Sequence, residues 1–145
     1  MEIKFYLIPF FVIAALPSCR VEEAPINLWL QNRAGYLEVV IRNGSVNPID
    51  VMGAAGPGIP PAEKTIQWQV LVNDAAAFPC VMSDSELRRT IVVSGSSAEF
   101  KIKVSDIEGL YCLRSQRLVP YEVAAYYVGP SRSYYSNRVK LVARP

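Results

Sequence analysis

The chain has 145 residues, with 15 Lys and Arg against 13 Asp and Glu, a net charge of +2 and no histidine. So balanced a charge offers no field for gathering nucleic acid, and the missing imidazole removes the usual general base and the common Ser-His-Asp and Cys-His arrangements. No cluster of thiolates or carboxylates replaces it, so no metal or cofactor is implied, and the composition points away from an enzyme.

The first segment, Met1 to Cys19, has an apolar core of twelve residues from Phe5 to Leu16. A helix needs roughly 20 apolar residues to cross a bilayer, so this stretch is too short to span one. Pro9 interrupts it, and Pro17-Ser18 supplies the small, helix-breaking end that suits a signal peptidase. Residues 1–18 are therefore expected to be a signal peptide, 19–25 a short tether and 26–145 one domain. Leu16-Pro17-Ser18-Cys19 resembles the lipobox of bacterial lipoproteins at Leu16, Ser18 and Cys19 and departs from it at Pro17. The resemblance implies a lipid on Cys19, a tether to a membrane face without a spanning helix. Ordinary cleavage nearby and a retained apolar N-terminus are the alternatives. The expected place is the periplasm, the surface of the outer or cytoplasmic membrane, or outside the cell.

Export also makes disulfides available. If processing or lipid takes Cys19, then Cys80 and Cys112 remain as an even pair. Their closed loop of about 33 residues would be worth about 3–4 kcal/mol in the chain-entropy model. Two unlinked buried thiols are the alternative.

Along the domain, alternation of period two dominates, and no stretch of a dozen residues carries a helical stripe. In Tyr36 to Asn43, Leu37, Val39 and Ile41 oppose Glu38 and Arg42. Thr65 to Asn73 sets Ile66, Trp68, Val70 and Val72 against Gln67 and Gln69, which makes Trp68 a core residue. Gly53 to Pro61 is a Gly- and Pro-rich loop, and Ser83 to Arg89 offers at most one helical turn, with Ser83 as N-cap and Glu86 three residues later. Ala98 to Ser105 alternates Phe100, Ile102 and Val104 with Glu99, Lys101 and Lys103, as an antiparallel strand with one wet face does. Pro120 to Val128 and Tyr134 to Ala143 read as two closing strands, and Ile26 to Gln31, Pro48 to Met52, Thr90 to Ser94 and Gly109 to Cys112 as weaker ones. About seven short strands between turn signals predict an all-β fold, an antiparallel immunoglobulin-like β-sandwich.

The run Leu37 to Val51 with Trp68 on the next strand resembles the opening of bacterial exported immunoglobulin-like domains, and Tyr121 to Tyr127 followed by Tyr135 to Leu141 is similar to the last strands of fibronectin type III-like modules. The resemblance implies the fold alone, since such folds host many functions. Both Cys80 and Cys112 follow Trp68, whereas an antibody-type bridge flanks it, so an antibody-type domain is disfavoured.

Tyr111, Tyr121, Tyr126, Tyr127, Tyr134 and Tyr135 concentrate late in the chain. Tyr126 and Tyr127 must point to opposite faces, one to the core and one outward. The Val128 to Tyr135 connection places Arg132, Tyr134 and Tyr135 at a loop tip, where large amphipathic rings suit a protein partner. Arg88-Arg89 and Arg114 to Arg117 read as solvated charge, and Asn43-Gly44-Ser45 as a turn that also fits a glycosylation sequon. The carboxylates Asp74, Asp84, Glu86, Asp106 and Glu108 show no recognisable catalytic spacing. The expectation is thus a non-catalytic exported cell-envelope protein, lipid-anchored at Cys19, that binds an envelope protein partner as an inhibitor, immunity or accessory protein. A carbohydrate-binding or adhesion module is the alternative.

Overall fold

The computed structural model describes residues 25–53, 63–81, 88–113 and 119–143. The expected signal peptide, Cys19, most of the Gly53–Pro61 loop, most of the expected Ser83–Arg89 turn and Arg114–Arg117 lie outside them. The strands are β1 (Ile26–Arg33), β2 (Tyr36–Asn43), β3 (Ile49–Met52), β4 (Ile66–Val72), β5 (Ala75–Ala76), β6 (Arg89–Val92), β7 (Ser97–Lys103), β8 (Pro120–Val128), β9 (Ser133–Tyr135) and β10 (Val139–Val142), with helix α1 (Val104–Leu110) after β7.

One sheet has the order β1-β2-β7 and the other β10-β8-β4-β5, with β9 on β8 beyond the end of β10. All pairings within both sheets are antiparallel. Three strands against five, with β9 and β10 following one another along the same edge of β8 and with β2 and β4 in different sheets, is the predicted immunoglobulin-like sandwich. Alternation drives it: Leu37, Val39 and Ile41 of β2 and Ile66, Val70, Val123 and Tyr127 of the second sheet are buried in one shared core. Trp68 lies in that core as predicted, although its indole N–H meets no acceptor among the described residues.

β1 and β2 join through Ala34 (φ 51°) and Gly35 (φ 82°), the two left-handed positions of a type I′ hairpin. Glycine takes its position without the Cβ penalty that Ala34 bears.

The β2–β7 ladder does not stop at Asn43. Both strands bend there and pair again as β3 with β6, which carries the chain across to the second sheet, where Met52 N–H donates to Lys64 O at 2.6 Å. Asn43 is the pivot. Its buried side chain donates to the carbonyls of Asn47 (2.8 Å) and Val92 (2.9 Å) and accepts from the N–H (2.9 Å) and hydroxyl (2.6 Å) of Ser45. The turn reading of Asn43-Gly44-Ser45 therefore holds, and both protons of the amide nitrogen, one of which a glycan would replace, are already donated to carbonyls.

Three segments differ from the sequence reading. Val104 begins α1 and does not extend β7, because Val104, Ile107 and Leu110 recur every three residues, a helical spacing that buries Ile107. Gly109–Cys112 is the end of that helix, closed by Cys112 at φ 52°. The strand drawn from Tyr134 to Ala143 is broken at Ser136–Arg138. There the Ser136 N–H donates to Ala125 O and its hydroxyl accepts from the Ala125 N–H, both at 2.9 Å, so a side chain takes over the ladder.

Cys80 and Cys112 form a disulfide with their Cα atoms 6.1 Å apart. The Cys80 N–H also donates to Leu110 O at 2.9 Å, so the segment after β5 is tied to the end of α1 twice.

Candidate functional site

The β8–β9 hairpin carries the aromatic residues singled out in the sequence. Val128 pairs with Ser133, leaving Gly129-Pro130-Ser131-Arg132 as the connection, and Gly129 N–H donates to Arg132 O at 3.0 Å. A Cβ on Gly129 would stand 2.8 Å from that carbonyl, so no other residue fits this closure.

From there the pleat sends the tyrosines to opposite sides. Tyr127 and Tyr134 face inward, stacked with centroids 6.4 Å apart, and the Tyr127 hydroxyl donates to Asp50 O at 2.8 Å. Tyr126 and Tyr135 face outward, stacked at 5.4 Å. The sequence reading placed Arg132, Tyr134 and Tyr135 together at a loop tip. Only Arg132 lies in the connection; Tyr134 and Tyr135 belong to β9, where Tyr134 is half-buried against the core and Tyr135 is 63% exposed. Arg132 returns over the Tyr134 ring, its guanidinium carbon 4.8 Å from the centroid, a cation–π contact that holds both in place.

Arg132, Tyr134 and Tyr135 border a hollow of about 300 Å³ whose far wall is Ile26 and Leu28 of β1. The outward pair borders a second hollow, of about 400 Å³, with Trp68, Gln69 and Tyr111. Burial, then the neighbouring Tyr126, pushes the Tyr111 phenol up to about 12, and burial, then Tyr135, raises that of Tyr126. Both hydroxyls stay protonated and can donate at any physiological pH.

A larger cleft, about 840 Å³, opens at the end of the sandwich beside the β1–β2 turn, between α1 and β10. Its walls include Val104, Leu141 and Val142, with Lys103 and Lys140 at the rim and Glu108 among the lining residues. Glu108 is buried and accepts from the Tyr121 hydroxyl at 3.0 Å. Burial first, and the carboxylate second, push the Tyr121 phenol up. This pair is a buried polar link between α1 and β8.

Of the other sequence candidates, Arg89 forms a fork on Asp50, with Nε at 3.2 Å and Nη2 at 3.0 Å from Oδ1, so it is bound in a local ion pair. Among the described residues no group of three His, Cys, Asp or Glu is arranged to hold a metal. No described helix is long and apolar enough to cross a membrane. Sequence reasoning missed Asn137, whose side chain accepts from Leu30 N–H and donates to Leu30 O, both at 2.8 Å, beside the hairpin. Its only trace in the sequence is the polar break Ser136-Asn137-Arg138.

No protein-family model matches the chain, and no curated protein matches it. Among solved structures it is similar to a crystal structure of a protein from Archaeoglobus fulgidus, at 14% identity over 83% of this chain and 96% of that one. The TM-score of 0.32 is too low for that likeness to carry an argument.

Proposed function

We propose that this chain is a non-catalytic exported protein of the cell envelope, tethered through a lipid on Cys19, that binds a protein partner by its β8–β9 hairpin in the manner of an inhibitor, immunity or accessory protein. The observation that supports the reading is the hollow between the hairpin and β1. It combines an exposed, stacked Tyr135, an Arg132 held over Tyr134, and the apolar Ile26 and Leu28. A tyrosine has few rotors to immobilise, Arg132 is already held over Tyr134, and both residue types are enriched among those that dominate protein interfaces.

The test is capture from an envelope extract with the wild-type chain and with Arg132→Ala/Tyr135→Ala. Tyr134 is left in place because it packs on the core. The double variant should melt as the wild type does and lose the captured partner, whereas unchanged capture would refute the assignment of this surface. Mass spectrometry of the mature N-terminus tests the tether; an unmodified Cys19 or Arg20 terminus would remove it.

A sugar-binding reading rests on the other hollow, where the stacked rings of Tyr126 and Tyr135 lie beside the buried Tyr111. Trp68 is too buried to serve as a platform there. Oligosaccharide binding lost in Tyr126→Ala but kept in Arg132→Ala would favour this second reading.

A further inference from the structure

Among the described residues, β7 is the last strand of its sheet, and no strand lies beyond it. Asn43 N–H donates to Ser96 O and Val104 N–H to Gly35 O, so the even-numbered residues of this strand turn their main-chain groups to β2. Ser97, Glu99, Lys101 and Lys103 therefore turn theirs outward; all four are exposed, and no described strand pairs with them. Such an edge is a template for another strand, and lysines on it normally repel one.

We propose that this edge is a self-association surface: two copies of the chain pair β7 with β7, antiparallel, about a two-fold axis at Phe100, merging their three-stranded sheets into one. The charge order selects the second copy as occupant. With Phe100 on the axis, Glu99 lies opposite the partner's Lys101, and symmetry repeats that pair, while Lys103 lies opposite the partner's Ser97. Moving the register by one residue on each strand puts Glu99 against Glu99 on one side, and on the other Lys101 against Lys101 between two Glu99–Lys103 pairs. Of these three alignments, the one at Phe100 alone sets no like charges opposite each other.

The same alignment suits the main chain and the apolar side. The four outward residues exchange about eight main-chain hydrogen bonds with their counterparts. Phe100 meets the partner's Phe100 and Ala98 the partner's Ile102; all three are only half-buried in the single chain, so pairing covers them. Lys101 already sits 2.8 Å from both Glu38 and Glu99, so a second Glu99 extends an existing row of alternating charge. This surface is separate from the β8–β9 hairpin and does not depend on it.

Sedimentation velocity over a concentration series tests the pairing, with the wild type, Glu99→Lys, Lys101→Glu, the combined variant and an equimolar mixture of the two single variants. The wild type should show a concentration-dependent dimer. Each single reversal should weaken it about tenfold or more, since both symmetric pairs become repulsive. The combined variant and the mixture should recover it, because each restores opposite charges at every crossing. A wild type that stays monomeric, a dimer indifferent to the single reversals, or single variants that associate no better mixed than alone would overturn the proposal.

Discussion

The two lateral sides of this sandwich are closed by different chemistry. On the β1 side, one asparagine from the β9–β10 connection satisfies both main-chain groups of Leu30, so a side chain acts as a short strand. On the β7 side, the link between sheets is covalent: Cys80, which follows β5, is joined to Cys112, which follows α1. Beside it the Cys80 N–H donates to Leu110 O at 2.9 Å, and the Tyr111 hydroxyl adds a long bond, 3.4 Å, to Trp68 O. Two directed hydrogen bonds occupy an edge as they close it, whereas a disulfide closes a side from a distance and, among the described residues, leaves the β7 edge without a further strand. Strength and accessibility are thus distributed oppositely: the covalently tied side is the one that can accept another strand.

If the covalent side is the stronger, Cys80→Ala/Cys112→Ala must cost more than any change on the other side. The loop closed by residues 32 apart predicts a loss of about 3–4 kcal/mol, read by urea denaturation. Amide exchange should accelerate in α1 and at the β4–β5 turn before it does in β1. A loss no larger than that of Asn137→Ala would break the comparison.

Asn43 holds the corner between these sides and comes next. Asn43→Ala leaves the carbonyls of Asn47 and Val92 without their donor, Val92 in the interior, and should cost about 2–3 kcal/mol. Its consequence should be local to the β3–β6 ribbon, so exchange should speed at Val51 and Val92 while β8 and β10 are unaffected. Asn137→Ala follows, at about 1–2 kcal/mol for two hydrogen bonds at a partly exposed edge. The Leu30 amide should exchange faster, and the distant Cys80–Cys112 region should not respond. Equal acceleration on both sides would mean that the edges open as one unit.

How much of this was legible in the sequence follows from which signals are local. Leu37, Val39 and Ile41 against Glu38 and Arg42 reveal a half-buried strand because the pleat alone sorts them. The same rule, applied to Tyr126 and Tyr127, foresaw that they part to opposite faces. Applied to the strand that begins at Tyr134 it parts Tyr134 from Tyr135 too, which the placing of both at a loop tip overlooked. α1 escaped because its two turns carry a single helical repeat, and Val104 also continues the alternation of Phe100 and Ile102. Asn137 escaped for another reason: its partner Leu30 is 107 residues away, and no local period marks a side chain that acts as backbone. The β7 edge was half legible. Its alternating charges were plain, but that the strand lies last in its sheet depends on topology.

The smallest expected effect concerns the surface ion pairs, and its sign follows from the direction of each shift. The side-chain bond from Lys101 holds the Glu38 carboxyl below its ordinary 4.5, and the bond from Arg89 holds Asp50 below its ordinary 3.8. A depressed carboxylate contributes stability that is complete above its unfolded value and disappears as pH falls through the folded one. Lys101, raised above 10.5 by Glu38 and then Glu99, behaves in the opposite sense: its contribution is complete below 10.5 and is lost as pH rises beyond. Stability should therefore be level between about pH 5 and pH 10 as far as these groups are concerned, and fall at both ends. Glu38→Gln should flatten part of the acid limb and part of the alkaline limb, because it removes one carboxylate and one partner of Lys101. Asp50→Asn should flatten the part of the acid limb that comes from its own depressed carboxyl, and it leaves the Glu38–Lys101 pair untouched. Melting temperature against pH for the two variants separates the row of charge beside the β7 edge from the ion pair on the corner ribbon. If Glu38→Gln leaves the alkaline limb as steep as in the wild type, Lys101 is held by Glu99 alone, and the charge row proposed to receive a second copy begins at β7 and not at β2.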